Sequence, residues 1–125
     1  MEAQELIKRY KAGERDFILL SLRGCNLSGA DLYNVNLSGS DLRESDLSDA
    51  DLVGASLRRA DLRGANLRGA SLGGADLNRS DLRDADLHGA DLSYCNLEGA
   101  QVTLEQLAQA QTLQGATLPD GTLQE

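Results

Sequence analysis

The chain is short of most of what an aromatic core or a reaction centre is built from. It has no tryptophan, one phenylalanine and three tyrosines, so aromatics make up 3% of its 125 residues, and a core of packed rings is excluded. One histidine, His88, and two cysteines, Cys25 and Cys95, leave no partners for a zinc site or for general acid–base work. There is no G-K-[ST] to close a phosphate loop, and the G-G-x-G-x-D repeat of calcium-binding β-rolls is missing. No run approaches 18 apolar residues, and the opening MEAQELIKRYKAGERD has charges throughout in place of an apolar signal segment. The expectation is therefore a soluble, cytoplasmic protein with no membrane contact. Positive charge is also scarce: 12 Lys and Arg stand against 20 Asp and Glu, for a net charge of −8. That balance argues against direct nucleic-acid binding and permits a basic partner. No catalytic residue, cofactor or metal ligand emerges, and the chain reads as a non-enzyme.

What is present is leucine and alanine in strict order. Hydrophobic residues reach 41%, which is no disordered composition, and the length suits one domain. Leucine recurs at every fifth position from Leu22 to Leu97, preceded in the same column by Phe17 and followed by Val102. Two residues before each stands a mostly small one, from Cys25 and Ala30 to Ala100. The residue immediately before each leucine is always Asp, Asn or Ser.

A period of five suits neither regular element. On a helix, steps of five advance about 140°, so the leucines would spiral around it. In a flat strand an odd step sends alternate leucines to opposite faces. A chain that bends after every fifth residue solves this, because the small residue and the leucine, two apart, share an inward face. The second residue after leucine is glycine nine times, as tight corners favour, although Arg59, Arg79 and Tyr94 also stand there.

This pattern, A-(D/N)-L-X-X without a break over residues 16 to 102, resembles the pentapeptide-repeat family. The resemblance implies an all-β solenoid, a right-handed quadrilateral β-helix with four pentapeptides and 20 residues per coil. In some members it implies an acidic rod that imitates DNA and occupies a topoisomerase. At the β spacing of about 4.8 Å, just over four coils make a rod roughly 20 Å tall.

A stacked rod exposes leucine at both ends and calls for lids. Residues 1–13 are expected to form an N-terminal capping helix, with Leu6 and Tyr10 at helical spacing, Ile7 beside them and Gly13 as a stop. Residues 14–102 would be the β-helix. Residues 103–125 would be a C-terminal capping helix and an irregular closing segment. There Thr103 and Gln106 stand at capping-box distance, and Leu104, Leu107 and Ala108 would face the last coil. The five-residue beat then returns one place out of step at Leu113, Leu118 and Leu123, with a turn at PDG, residues 119–121.

Residues 20 apart should stack, which turns the sequence into a surface map. The side built on the core residues Leu22, Leu42, Leu62 and Leu82 carries Arg23, Arg43, Arg63 and Arg83 beside Asp41, Asp61 and Asp81, which reads as a ladder of ion pairs. The side built on Leu32, Leu52, Leu72 and Leu92 has no basic residue. It offers Asp31, Tyr33, Asp51, Val53, Asp91 and Tyr94 as a candidate partner-binding face. Cys25 and Cys95, three and a half coils apart, lie too far from each other for a disulfide. Two functions compete. One is a non-catalytic structural or protein-interaction module, monomeric, meeting another protein. The alternative is a DNA mimic binding gyrase or another DNA-binding protein. Over 20 Å, B-DNA carries about 12 phosphate charges, whereas residues 16–102 hold 14 acidic and 8 basic side chains, which favours the first.

Overall fold

A computed structural model describes all residues 1–125. Its framework is a continuous coil in which each five-residue unit is one side. Within a unit the leucine carbonyl accepts the N–H three residues on, as Leu62 O does from Ala65 N at 3.0 Å. This closes a turn whose third residue has positive φ: Gly64 at 69°, but also Arg59 at 58° and Tyr94 at 59°. Those are the requirements of a type II turn. A non-glycine residue there costs about 1–2 kcal/mol, so the corner prefers glycine without demanding it.

Between coils the backbone pairs in parallel. Asp41, Asp61, Asp81 and Gln101 bridge in succession at intervals of 20 residues, and the other sides repeat this register. Leu62 N donates to Asp81 O at 2.8 Å, and Asp81 N donates back to Ala60 O at 3.0 Å. Each side thus contributes a short piece of β pairing, and four sides close one coil. The leucines from Leu22 to Leu97 all point inward, and Leu22, Leu42, Leu62 and Leu82 have no exposed surface. The inward small column packs between them. Ser40, Ser45 and Ser80 are tolerated in it because their hydroxyls donate to Phe17 O, Leu42 O and Leu77 O at 3.2, 2.7 and 2.8 Å.

The outward Asx column has a local task on all four sides. Its Oδ1 accepts the N–H two residues on, at 3.1 Å from Val53 to Asp51, 3.2 Å from Arg63 to Asp61 and 3.0 Å from Arg68 to Asn66. Asp and Asn serve equally because only one acceptor oxygen is needed.

The corner column shows a rule that spans coils. A side chain in the positive-φ slot leans toward the corner 20 residues further on, which must then be bare. A Cβ built on Gly39 would fall 2.7 Å from Leu19 Cδ2, and one on Gly99 would fall 3.0 Å from Arg79 Cγ. The same probe at Gly54 and Gly69 would collide with Asn34 and Asp49. A glycine here answers the residue one coil below it as well as its own turn.

Helix α1 (Ala3–Lys11) lies at the low-numbered end. Leu6 and Tyr10 are buried, and both belong to the same cluster as the leucine column. At the far end, helix α2 (Leu104–Ala108) takes the place of a β unit above the Leu87 side. Thr103 and Gln106 form a reciprocal capping box, with Gln106 N to Thr103 Oγ1 at 3.1 Å and Thr103 N to Gln106 Oε1 at 2.9 Å. The Gln106 amide also donates to Leu82 O and Ala85 O at 2.6 and 3.0 Å. Of the three apolar residues expected to face the last coil, only Leu107 does so. Leu104 is 77% exposed and Ala108 is exposed as well. A helix of five residues presents little more than one residue inward, and Leu107 stands 20 after Leu87, in the register of the core.

Residues after α2 are more regular than the expected irregular segment. Asp91 bridges Thr112 and Asn96 bridges Thr117, so two further sides are laid down with an offset of 21. The extra residue enters between Gln109, whose carbonyl keeps the offset of 20 with Gly89, and Gln111, whose N–H reaches Ala90 O. The chain then reverses at residues 119–121, where Gly121 N donates to Leu118 O. Leu123 pairs antiparallel with Thr117. Leu118 N to Thr122 O at 2.7 Å and Gln124 N to Ala116 O at 2.8 Å occupy backbone groups that an open edge would expose.

Candidate functional site

Nothing in the molecule converges as a reaction centre would. No group of three His, Cys, Asp or Glu side chains is placed to hold a metal ion. His88 is exposed, with Asp86 Oδ1 4.0 Å from its Nδ1. Both cysteines are unpaired. Cys95 is buried, its Sγ donates to Leu72 O at 2.8 Å, and burial pushes its thiol up to about 12, which leaves it unreactive at neutral pH. Cys25 is half-buried at the α1 end, and burial raises its thiol pKa too. What remains is the outer surface, side by side.

The arginine side is a closed ladder. Arg43 grips Asp41 through Nε at 2.8 Å and Nη2 at 2.7 Å, and Arg63–Asp61 and Arg83–Asp81 repeat that two-pronged geometry. Each rung reaches the next: Arg43 Nε lies 3.8 Å from Asp61, and Arg63 Nε lies 3.7 Å from Asp81. Arg23 pairs with the corner residue Glu44 at 3.2 Å. Hydrogen bonds from Arg43 hold the Asp41 carboxyl down at about 2, and those from Arg63 and Arg83 likewise lower Asp61 and Asp81. Charges on this side satisfy each other.

The acidic side is built differently. Asp31 and Asp51 sit on adjacent coils, Ser71 follows, and Asp91 comes next. None of these aspartates forms an ion pair, although each Oδ1 serves its own bend, at 3.4, 3.1 and 2.9 Å. Tyr33 and Tyr94 are 49% and 66% exposed, and Val53 is half-buried. The six residues do not form one cluster. Asp31, Tyr33, Asp51 and Val53 share the lower half, while Asp91 and Tyr94 lie at the upper end, beyond the bare backbone of Gly73 and Gly74.

One cation does approach this side. Tyr10 O–H donates to the Tyr33 carbonyl at 2.7 Å, and the Arg15 guanidinium lies 3.7 Å from the Tyr10 ring centroid, within cation–π range. The absence of basic residues thus holds for the outward columns but not for the lower rim. The repeat could not show this, because α1 delivers Tyr10 from outside it.

The chain can be set beside known proteins. Residues 21–59, 45–84 and 60–99 match a family model described as pentapeptide repeats, in 8 copies. Among solved structures the chain is similar to a pentapeptide repeat protein, Rfr23, from the cyanobacterium Cyanothece 51142. The identity is 38% and the TM-score 0.69, over 71% of this chain and 60% of that one, so this chain spans less than two thirds of that relative. It is also similar to alr5209, a pentapeptide repeat protein from Nostoc PCC 7120, at 34% identity and a TM-score of 0.52, over 88% of this chain and 94% of that one. No curated protein sequence matches the chain.

Proposed function

Because the chain belongs to the pentapeptide-repeat family, we propose that it is a non-catalytic protein-interaction module. It is a rigid right-handed four-sided β-helical rod, monomeric and cytoplasmic, whose acidic side meets a basic surface of another protein. In this reading residues 1–13 and 103–125 are the end closures of a rod spanning 14–102. The observation that carries it is the contrast in pairing. Asp41, Asp61 and Asp81 are each held by an arginine, while Asp31, Asp51 and Asp91 have none. An unpaired carboxylate column beside Tyr33 and Tyr94 is a surface on which a basic partner gains charge complementarity without first breaking internal ion pairs. The side chains proposed for contact are Asp31, Tyr33, Asp51, Val53, Asp91 and Tyr94.

The test uses the tolerance of the bend for asparagine. Replacing Asp31, Asp51 and Asp91 together by Asn removes three charges and keeps the acceptor that Asn26 and Asn66 supply elsewhere. A basic protein captured from a native lysate by the wild type is expected to be lost on the triple variant. It should persist when Asp41, Asp61 and Asp81 are replaced instead. Retention by the first variant removes the proposal. The same pair of variants addresses DNA mimicry in a gyrase supercoiling assay: inhibition at stoichiometric protein, lost on the first variant only, would replace the module reading with the mimic one. The ladder lowers support for mimicry, since it neutralises one whole side of a rod already short of charge.

A further inference from the structure

The corner rule has one exception in the rod. Everywhere else a side chain in the positive-φ slot is followed 20 residues on by glycine or by the end of the regular coil, but Arg59 is followed by Arg79. Both residues accept a backbone conformation that glycine takes more readily. They are also the only two arginines of the rod whose side chains form neither an ion pair nor a hydrogen bond: Arg23, Arg43, Arg58, Arg63, Arg68 and Arg83 each hold a carboxylate. On a chain of net charge −8, two stacked and unpaired guanidiniums are a local reversal of sign.

What lies beneath them is apolar and open. Ile18 and Leu19 are 43% and 76% exposed. With Ser38, Gly39, Arg58 and Arg59 they line a shallow groove of about 260 Å³. Arg58 is steadied by Asp76 at 3.0 Å. Farther along the same side Glu98 and Asp120 join the lining, so negative charge is repelled at the top and drawn to the stretch between Leu19 and Arg79.

We propose that this corner docks an extended acidic peptide segment of a partner protein, with one apolar side chain on Ile18 and Leu19 and carboxylates on Arg59 and Arg79. The spacing suits such a strand. Leu19 lies two coils below Arg59 and three below Arg79, roughly 10 and 14 Å at the β spacing. In an extended chain, residues two and four beyond an apolar one stand roughly 7 and 13 Å away on the same face, within reach of arginine side chains. This surface has the opposite sign to the acidic side and is independent of it.

The probe is a synthetic peptide, LTETE, blocked at both ends and titrated into ¹⁵N-labelled protein. Saturable shifts are expected at the amides of Leu19, Gly39, Arg59 and Arg79, with a Kd of the order of 1 mM or tighter. The double variant Arg59→Gly/Arg79→Gly is expected to bind at least tenfold more weakly while its melting temperature holds or rises, since glycine is what the corner accommodates. Arg59→Gln, which keeps a long side chain, should also weaken binding, as should Leu19→Gly. The proposal is overturned if no saturable shift occurs, or if the arginine variants bind like the wild type. It is equally overturned if sulfate or an LTKTK peptide reproduces the shifts at equal concentration, which would mark adventitious charge attraction.

Discussion

The side built on Leu42, Leu62 and Leu82 and the side built on Leu52, Leu72 and Leu92 share one backbone. Both bridge at 20-residue intervals, both bury their leucines completely, and both close each bend with an Asx oxygen. They differ only in the outward residues, and the result is a self-neutralised ladder on one side and an unpaired acidic column on the other. Three positions of every five are occupied by folding, and the two after the leucine are free to set the character of a face. Shape therefore says little about function in this molecule, and side-chain pairing says more.

The largest expected effect should not distinguish the two sides. Leu62→Lys and Leu52→Lys place a charge where no partner exists, and both should abolish cooperative thermal unfolding. Leu62→Ala and Leu52→Ala should each cost about 2–5 kcal/mol in urea denaturation, and a large gap between them would break the claim of a shared core. A smaller effect separates the sides. Asp51→Ala should lose about 1 kcal/mol with its bend, while Asp61→Ala should lose more, because Arg63 and the rung below lose their partner. Asp51→Asn should be close to neutral.

Acid provides a third comparison. Asp41 is lowered from 3.8 to about 2, and Asp61 and Asp81 are lowered too, foremost by arginine hydrogen bonds. Carboxylates with depressed folded-state pKa values contribute stability that is fully present above the unfolded value and lost as pH falls through the folded one. The melting temperature should therefore decline between about pH 4 and pH 2. Replacing Arg43, Arg63 and Arg83 by Gln should shrink that part of the decline. The smallest change is Arg63→Ala, where an exposed ion pair is worth about 0.5 kcal/mol; a loss as large as that of Leu62→Ala would show the ladder to be structural.

Much of this architecture was legible in the chain. The five-residue leucine column and its unbroken run gave the four-sided coil and the register of 20, and through them the arginine ladder and the acidic column. Thr103 and Gln106 announced α2. The orientation of α2 was not legible, because its facing is set by two carbonyls of the last coil that need the Gln106 amide. Nor could the repeat show that the beat at Leu113 and Leu118 is a true coil one residue out of step, since that depends on where the extra residue is absorbed. Arg15 over Tyr10 was equally hidden, because α1 folds back onto the rod from outside the pattern.

The sequence by itself determined the coil, its pitch in residues and the direction of every leucine, because a strict local repeat can satisfy turn, pairing and burial in only one way. The tertiary structure decided which charges cancel and which corners must be bare. Those depend on neighbours 18 to 24 residues away and on side-chain reach, which distance along the chain alone does not encode.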